Sequence, residues 1–324
     1  MLDLDATDIP LYGHQPERFF HGYYDSYCYL PLYIFCNDQL LCARLRAADK
    51  DAAAGAVDEV SRIVTQVRAR WPKTRIVLRA DSGFCREELM AWCEANKVDY
   101  LFGLARNQRL SKRIGAQMEQ ARLLHQTTGI AARVFTGFAY ITHTQRVPGW
   151  SRARRVVAKS GVPSDRSSSL GWKSGVPSDR SSSLGWKAEY LDKGENPRFV
   201  VTSLTPDKWP DQQLYEKFYC ARGEMENRIK EQMFLFADRL STDEMKGNQL
   251  RLSFSALAYT LMESLRRRAL KGTEWAQAQV DTIRLKLFKI GAIVKISVRR
   301  ILLQFSSTYP WKDIFAQAFH ALRG

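Results

Sequence analysis

The stretch Arg75-IVLRA-Asp81 is short and mostly apolar, and it ends in an acidic residue followed by Ser82-Gly83. A run of this kind is typical of a strand buried on both faces inside a sheet. Downstream, residues 87–96 carry apolar side chains at helical spacing, and Val98-DYLFGL-Ala105 is a second apolar strand-like run. The order strand, helix, strand predicts two parallel strands that are joined by a helical crossover.

The residues before this stretch predict three further strands and a helix. Leu2 to Thr7 alternate apolar and acidic residues, and residues 27–37 and 39–46 are strand-like runs with a hairpin signal at Asn37-Asp38. Residues 52–70 have an apolar stripe at helical spacing. Three strands, helix, strand, helix, strand is the order of the ribonuclease-H-like α/β fold, in which parallel strands extend an antiparallel three-stranded sheet.

The chain divides by its patterns into three regions. Residues 1–106 form the first part of the predicted ribonuclease-H-like core. Residues 107–207 contain short β-like pieces between polar loops and predict a β-rich insertion subdomain. Residues 208–324 are predicted to be the helical remainder of the core with a basic C-terminal region. The β-like pieces of the insertion lie at residues 132–142, 151–158 and 196–203.

A tandem duplication lies within the predicted insertion. Residues 159–172 are repeated letter for letter as residues 173–186. Each copy is rich in Ser, Gly, Pro and Asp and has no periodicity, so we predict a flexible surface loop without a catalytic role. The alternative is an arm that contacts DNA through Arg166, Arg180 and the lysines.

Helical patterns dominate the C-terminal region. Residues 212–237 and 248–270 predict two helices, and residues 280–300 interleave apolar residues with lysines and arginines. The end of this last segment alternates in the manner of a strand, at Val294, Ile296 and Val298. The second helix has one apolar stripe, which consists of Leu250, Phe254, Leu257, Leu261 and Leu265.

The charge of the chain favours a polyanionic partner. The sequence has 49 Lys and Arg against 34 Asp and Glu, a formal net charge of +15. This balance favours nucleic acid, while a solvated basic surface or an anionic membrane face would share it. No apolar run reaches 18 residues and no signal peptide is evident, so we expect a cytoplasmic, nucleoid-associated protein without a membrane partner. The six cysteines are not spaced like metal ligands, and we predict that their side chains are reduced and packed.

Three acidic residues lie where the predicted fold would bring them together. They are Asp5 on the first strand, Asp81 after the central parallel strand and Glu226 on a later helix. Carboxylates grouped in this way bind Mg²⁺ or Mn²⁺, and two ions roughly 3.5 to 4 Å apart support phosphoryl transfer. Asp81 could instead cap the helix or turn that follows it.

The segment around Glu226 strengthens this hypothesis. Tyr219, Arg222 and Glu226 are spaced by three and four residues, which places them on one face of a helix. A guanidinium and a phenol at these positions can hold a phosphate beside a metal-binding carboxylate. The alternative is a solvent-facing helix with a simple ion pair between Arg222 and Glu226.

Three ordered motifs resemble the DDE transposases of bacterial insertion sequences. They are Asp5-AT-Asp8, Leu78-RADSG-Phe84 and Tyr219-CARGEMENRIKE-Gln232. The resemblance is to the insertion sequence 1380 group, within the insertion sequence 4 superfamily. It implies that Asp5, Asp81 and Glu226 are the catalytic carboxylates that hold two Mg²⁺ or Mn²⁺ ions, and that Tyr219 and Arg222 bind DNA phosphate.

The chain departs from this family pattern in two places. The signature lysine, seven residues beyond the glutamate, is Met233 here, so Lys230 or Arg228 is expected to supply the phosphate-binding charge. Asp3 is the reserve for Asp5, because it points to the same strand face, whereas Asp8 points to the opposite one. Family members begin with an additional helical region before the first catalytic strand, so the chain resembles an N-terminally truncated product.

The function that this resemblance implies is metal-dependent DNA cleavage and strand transfer at insertion-sequence ends. The partners are then the element ends and target DNA, and we expect a homo-oligomer on DNA. Two alternatives stand beside it. One is a catalytically impaired remnant that binds DNA or inhibits a complete transposase. The other is a structure-selective nuclease on the same fold.

Overall fold

A computed structural model describes residues 1–142, 149–162 and 197–323 of the chain. It is a mixed α/β structure with a large mixed sheet and helices. The strands are β1 (Leu2–Ala6), β2 (Ile9–Pro10), β3 (Phe19–His21), β4 (Ser26–Tyr29), β5 (Leu32–Cys36), β6 (Gln39–Arg44), β7 (Val77–Ala80), β8 (Asp99–Leu104), β9 (Ala132–Tyr140), β10 (Arg154–Val162), β11 (Arg198–Thr202), β12 (Ala292–Ile296) and β13 (Ile301–Phe305). The α-helices are α1 (Ala56–Arg70), α2 (Glu87–Ala95), α3 (Gln108–Arg113), α4 (Gly115–Thr128), α5 (Asp211–Gln213), α6 (Gly223–Gln232), α7 (Met245–Arg268), α8 (Val280–Ile283) and α9 (Lys312–Arg323).

The main sheet has eight strands in the order β6-β5-β1-β7-β8-β11-β10-β9. Strands β6, β5 and β1 are antiparallel neighbours, whereas β1, β7 and β8 run parallel to one another. Helix α1 connects β6 to β7, and helix α2 connects β7 to β8. The predicted order of elements around Asp81 is therefore confirmed. Strand β7 lies between two parallel neighbours, which explains its almost wholly apolar sequence.

One predicted strand is divided in two. Residues 27–37 were expected to form a single strand, but the structure has β4 and β5, with Pro31 between them. Proline lacks the N–H that a ladder requires, so the pairing changes at this point. Strand β4 joins β2 and β3 in a separate three-stranded sheet, and β5 joins the main sheet.

The described residues of the segment 107–207 form helices and strands, and the strands extend the main sheet. The segment begins with α3 and α4 and continues with β9, β10 and β11, of which β11 pairs with β8. Strand β10 runs to Val162, so residues 159–162 of the duplicated segment, which were predicted to be loop, are strand here. They pair with β9 through a regular antiparallel ladder. The remainder of the predicted loop, residues 163–186, lies outside the described residues.

The two faces of the main sheet pack against different helices. On one face, Leu4 and Leu78 belong to a core cluster with side chains of α1 and α2. On the other face, Tyr33 and Phe35 of β5 belong to a second cluster with side chains of α6 and α7. Successive residues of a strand point to opposite faces, so Asp3 and Asp5 of β1 face the α6 side, opposite to Leu4.

Helix α7 carries its apolar stripe outward. Leu250, Phe254, Leu257 and Leu261 are each more than half exposed, with relative exposures between 56% and 62%. The buried face of the helix includes polar and charged side chains, whose hydrogen bonds and ion pairs within the fold satisfy them. The buried residues of this face are Asn248, Leu252, Ser255, Tyr259, Met262, Glu263 and Arg266.

One helical prediction in the C-terminal region needs correction. Residues 212–237 do not form one regular helix, because π turns at Leu214–Tyr219 and Met233–Ala237 and a 3₁₀ turn at Cys220–Arg222 flank α6. Phe236 has a positive φ of 68°, which is incompatible with a continuing helix. In the segment 280–300, helical turns end at Phe288, and the strand predicted around Val294 and Ile296 is confirmed as β12, which forms a hairpin with β13.

The six cysteines all lie in the described part of the chain, and none is bonded to another. Cys28, Cys42 and Cys93 are buried, as expected for packed thiols. Cys220 is exposed, so the prediction of packed cysteines is wrong there. Among the described residues, no helix combines the length and the apolar character that a membrane crossing requires.

Candidate active site

Asp5 and Asp81 come together because β1 and β7 are parallel neighbours. The register pairs Leu4 with Ala80, so the next residues along each strand meet at the same edge of the sheet. Asp5 accepts a hydrogen bond from the amide of Ala6 at 3.0 Å. Asp81 caps the 3₁₀ turn that follows β7, since its Oδ1 accepts the amide of Gly83 at 2.9 Å. The capping role considered for Asp81 is therefore real, and it orients the carboxylate at this edge.

Glu226 reaches the same place on α6, and Arg222 links it to Asp5. Arg222 donates through Nη2 to Glu226 Oε1 at 2.8 Å and through Nη1 to Asp5 Oδ2 at 3.3 Å. The ion pair between Arg222 and Glu226 thus exists, but it lies within a group of three carboxylates. These side chains are mostly buried, which strengthens the electrostatic coupling among them.

The electrostatics of the group show excess negative charge. Burial raises the pKa of Asp5 to about 7; Arg222 opposes this rise, and the neighbouring charges of Asp81 and Glu226 add to it. Burial also raises the pKa of Glu226, against the charges of Arg222 and Lys230. One guanidinium therefore does not offset three carboxylates, and the site favours a further cation.

Tyr219 lies over β8 beside the backbone of Asp81. A Cβ built on Gly103 would be 2.6 Å from Tyr219 Oη and 2.8 Å from the amide nitrogen of Ser82. Burial raises the pKa of Tyr219 to about 12, so its phenol is protonated and can donate a hydrogen bond. Gly103 was not recognised as important from the sequence. Its signal was a glycine inside an otherwise apolar strand, which often marks a close approach.

Replacing Gly103 with alanine is expected to lower the free energy of unfolding by about 1–3 kcal/mol, because the methyl group would overlap Tyr219 Oη and a backbone amide. Adding Tyr219→Phe should recover part of this loss, since the contacts with the backbone of Asp81 and Ser82 then remain. Urea unfolding measures both effects. Gly115→Ala is the control, because nothing lies within 4 Å of its Cβ position. Equal stabilities of the Gly103 and Gly115 variants would contradict the close approach.

The other residues predicted for this site fall in different places. Lys230 is close enough to Glu226 to lower its pKa. Arg228 is not brought into the group, because its guanidinium pairs with Asp38 at 2.5 Å and with Glu231 at 3.4 Å. Met233, at the position of the family lysine, is partly buried against the core cluster on the α6 side of the sheet.

Asp3 and Asp8 also have distinct environments. Asp3 is buried and forms an ion pair with Arg79 of β7, with Arg79 Nε 2.5 Å from Asp3 Oδ1. Asp8 is buried beyond the end of β1, and this burial raises its pKa to about 6. Tyr24, which the sequence did not suggest, lies close to the site, and its hydroxyl donates to the carbonyl of Ala6 at 3.4 Å. The charges of Asp5, Asp8 and Asp81 all act on this phenol.

The donor set fits a divalent cation in its chemistry. Asp5, Asp81 and Glu226 supply hard oxygen ligands with a net negative charge, which Mg²⁺ and Mn²⁺ prefer. Within the described ranges, no three His, Cys, Asp or Glu side chains are close enough to hold one ion as they stand. Arg222 bridges Asp5 and Glu226, so a metal ion has to compete with this guanidinium for the two carboxylates.

Comparison with known proteins adds a family to this geometry. No curated protein matches the chain. A cryo-EM structure of the piggyBac transposase synaptic complex with hairpin DNA is similar at 9% sequence identity and a TM-score of 0.41. The similarity covers 84% of this chain and 48% of the other, so the chain spans about half the length of that protein.

A family model matches nearly the whole chain. The model describes the transposase DDE domain group 1, and it matches residues 1–168 and 179–324. The unmatched residues, 169–178, lie within the duplicated segment. The matched ranges include Asp5, Asp81 and Glu226, and proteins of this family generally use divalent metals. The chain belongs to the transposase DDE domain group 1 family.

Proposed function

We propose that this chain is the catalytic part of a transposase that cuts DNA at the ends of an insertion sequence and joins the freed 3′-hydroxyl to target DNA. The observation that carries the proposal is the meeting of Asp5, Asp81 and Glu226, which come from two parallel strands and a distant helix. Arg222 and Tyr219 lie beside them. This combination suits phosphoryl transfer, in which metal ions and cationic side chains stabilise developing charge.

The fold that we propose for this core is ribonuclease-H-like. Three antiparallel strands that continue into parallel strands through α1 and α2 support this assignment. We divide the chain as the sequence suggested, into a first core part (1–106), an insertion (107–207) and a helical remainder (208–324). The three motifs around the carboxylates support the insertion sequence 1380 group.

Asp5, Asp81 and Glu226 are the residues that would hold Mg²⁺ or Mn²⁺, with two ions as the expected number. When bound, such ions supply Lewis-acid activation of the attacking oxygen and stabilise the leaving oxygen. The fold of the protein would hold the carboxylates in position for these ions. Asp81 is oriented by its bond to the Gly83 amide, and the β1–β7 pairing sets Asp5 beside it.

The groups that would position a DNA phosphate are the guanidinium of Arg222, the protonated phenol of Tyr219 and the ammonium of Lys230. Arg222 offers planar, charge-assisted hydrogen bonds, and Tyr219 offers a neutral donor. Arg228 is a weaker candidate, because Asp38 and Glu231 already engage its guanidinium. A partly buried site would make these contacts stronger than the same contacts in water.

The partners of the proposed activity are the element ends and target DNA, and the protein would act on them as a homo-oligomer in the bacterial cytoplasm, at the nucleoid. The net charge of +15 supports binding to a polyanion. Much of this charge lies on exposed side chains of the C-terminal region, such as Lys295, Arg299 and Arg300. These side chains are suited to backbone phosphate contacts, which position DNA without reading its sequence.

The test is an incubation of this chain with DNA that carries an insertion-sequence end, in Mg²⁺, Mn²⁺ or EDTA. We expect a mobility shift in all three conditions, but nicks and joined products only with a metal ion. Binding without cleavage would support the alternative of a DNA-binding or inhibitory remnant. Cleavage without any joined product would support a structure-selective nuclease.

A further inference from the structure

A buried ion pair joins β1 and β7 close to the three carboxylates. Arg79 of β7 and Asp3 of β1 are register partners, and each precedes a site carboxylate on its own strand by two residues. Arg79 donates through Nε to Asp3 Oδ1 at 2.5 Å and through Nη2 to Asp3 Oδ2 at 2.8 Å. Both residues are only 5% exposed. This bidentate pair fixes the plane of the guanidinium.

The remaining terminal nitrogen of this guanidinium holds a third segment. Arg79 Nη1 donates to the carbonyl oxygen of Phe218 at 2.6 Å. Phe218 precedes Tyr219, at the point where the π turn changes to the 3₁₀ turn that leads into α6. The guanidinium of this β7 residue therefore links β1, which carries Asp5, to the segment that leads to Glu226. Asp81 follows on β7's own chain, two residues after Arg79.

Stability alone does not explain this arrangement. A buried ion pair is often no more stabilising than two apolar residues of similar volume, because both charges lose their hydration. Apolar residues could fill the same space, but they could not bond to a specific backbone carbonyl. The distinctive property of Arg79 is its fixed fork of donors, which a lysine cannot reproduce.

We propose that Arg79, held in orientation by Asp3, is a positioning residue for the carboxylate site. It sets the distance of the segment Tyr219–Glu226 from the two strands and so determines how well the carboxylates bind divalent metal. Asp3 is then the counter-ion of Arg79 and not a metal ligand. The inference rests on the proposed function, because it concerns metal binding at the same site.

The test replaces the pair without leaving a lone buried charge. In the double variant Asp3→Leu/Arg79→Met, the midpoint of urea unfolding should shift only slightly. The Mn²⁺ affinity, measured by calorimetry, should fall about 10- to 100-fold. Arg79→Lys keeps the charge but loses the fork, so it should also weaken Mn²⁺ binding. A purely structural role predicts unchanged Mn²⁺ affinity in every folded variant.

The matched control is Arg154→Lys. Arg154 is also a buried arginine that bonds to two carboxylates, Glu87 and Glu94, but it lies outside the site. We expect this variant to change the urea midpoint and to leave Mn²⁺ affinity unaltered. Wild-type Mn²⁺ affinity in Arg79→Lys overturns the proposal, and this variant decides the question if the double variant does not fold. Failure of the wild-type chain to bind Mn²⁺ or cut DNA would instead count against the proposed function.

Discussion

Replacing Glu226 with glutamine is expected to lower the rate of metal-dependent DNA cleavage by at least about 100-fold. The amide is isosteric but carries no charge, so a Mg²⁺ or Mn²⁺ ion loses an anionic ligand. Loss of supporting contacts alone typically costs about 10- to 100-fold in metal affinity or activity, and loss of a direct ligand should cost more. The measurement is the single-turnover rate of nicking at saturating protein.

Glu224→Gln is the matched control for this experiment. Glu224 lies on the same helix two residues earlier and is exposed, so its substitution changes net charge equally without touching the site. We expect near wild-type cleavage from it. DNA affinity should be similar in both variants, because neither change removes a cation. Cleavage by Glu226→Gln at the rate of Glu224→Gln would remove Glu226 from the mechanism.

The largest effect on stability is expected at Arg266 of α7. Its guanidinium bonds to Glu231 at 2.6 and 3.1 Å, to Glu263 and to the carbonyl of Ala278 at 2.9 Å. All three charged side chains are buried. Arg266→Met would leave Glu263 buried without its ion-pair partner and Glu231 with only the 3.4 Å contact to Arg228. Breaking a buried pair in this way typically costs about 3–5 kcal/mol.

Urea unfolding at neutral pH measures this loss, and the exposed neighbour Arg267 provides the control. Arg267→Met removes the same charge from the same helix, so we expect a change within about 0.5 kcal/mol. The deficit of Arg266→Met should shrink as the pH falls, because burial raises the pKa of Glu263 and protonation then neutralises this carboxylate. A loss below about 1 kcal/mol at neutral pH would show that water relieves the buried charges.

Sequence patterns predicted those strands and helices whose buried side chains recur at a regular spacing along the chain. The apolar run before Asp81 and the stripe of α1 are such cases, and their strand and helix are found within a few residues of the predicted bounds. The same reasoning failed at Pro31, where the apolar run continues but the hydrogen-bonded ladder does not. It also predicted one regular helix over 212–237, because helical periodicity does not distinguish α from π turns.

The residues around the carboxylates likewise include some that the sequence indicated and some that it did not. Tyr219, Arg222 and Glu226 were indicated by their spacing, since contacts between consecutive helical turns depend on sequence separation, even where π, 3₁₀ and α turns follow one another. Arg79 and Gly103 were not, because each acts on a segment more than a hundred residues away. Arg228 looked equivalent to Lys230 in the sequence, but Asp38 at the β5–β6 turn engages it.

By itself, the sequence determined the order of strands and helices around Asp81, the basic charge and the identity of the three carboxylates as candidates. These properties follow from local periodicity and residue chemistry, which each segment carries without its neighbours. Only the tertiary structure decided that Arg222 bridges Asp5 and Glu226, that Asp3 pairs with Arg79, and that the apolar stripe of α7 faces outward. These outcomes depend on which segments come into contact in the folded chain. Burial and charge pairing between residues far apart in the sequence determine those contacts.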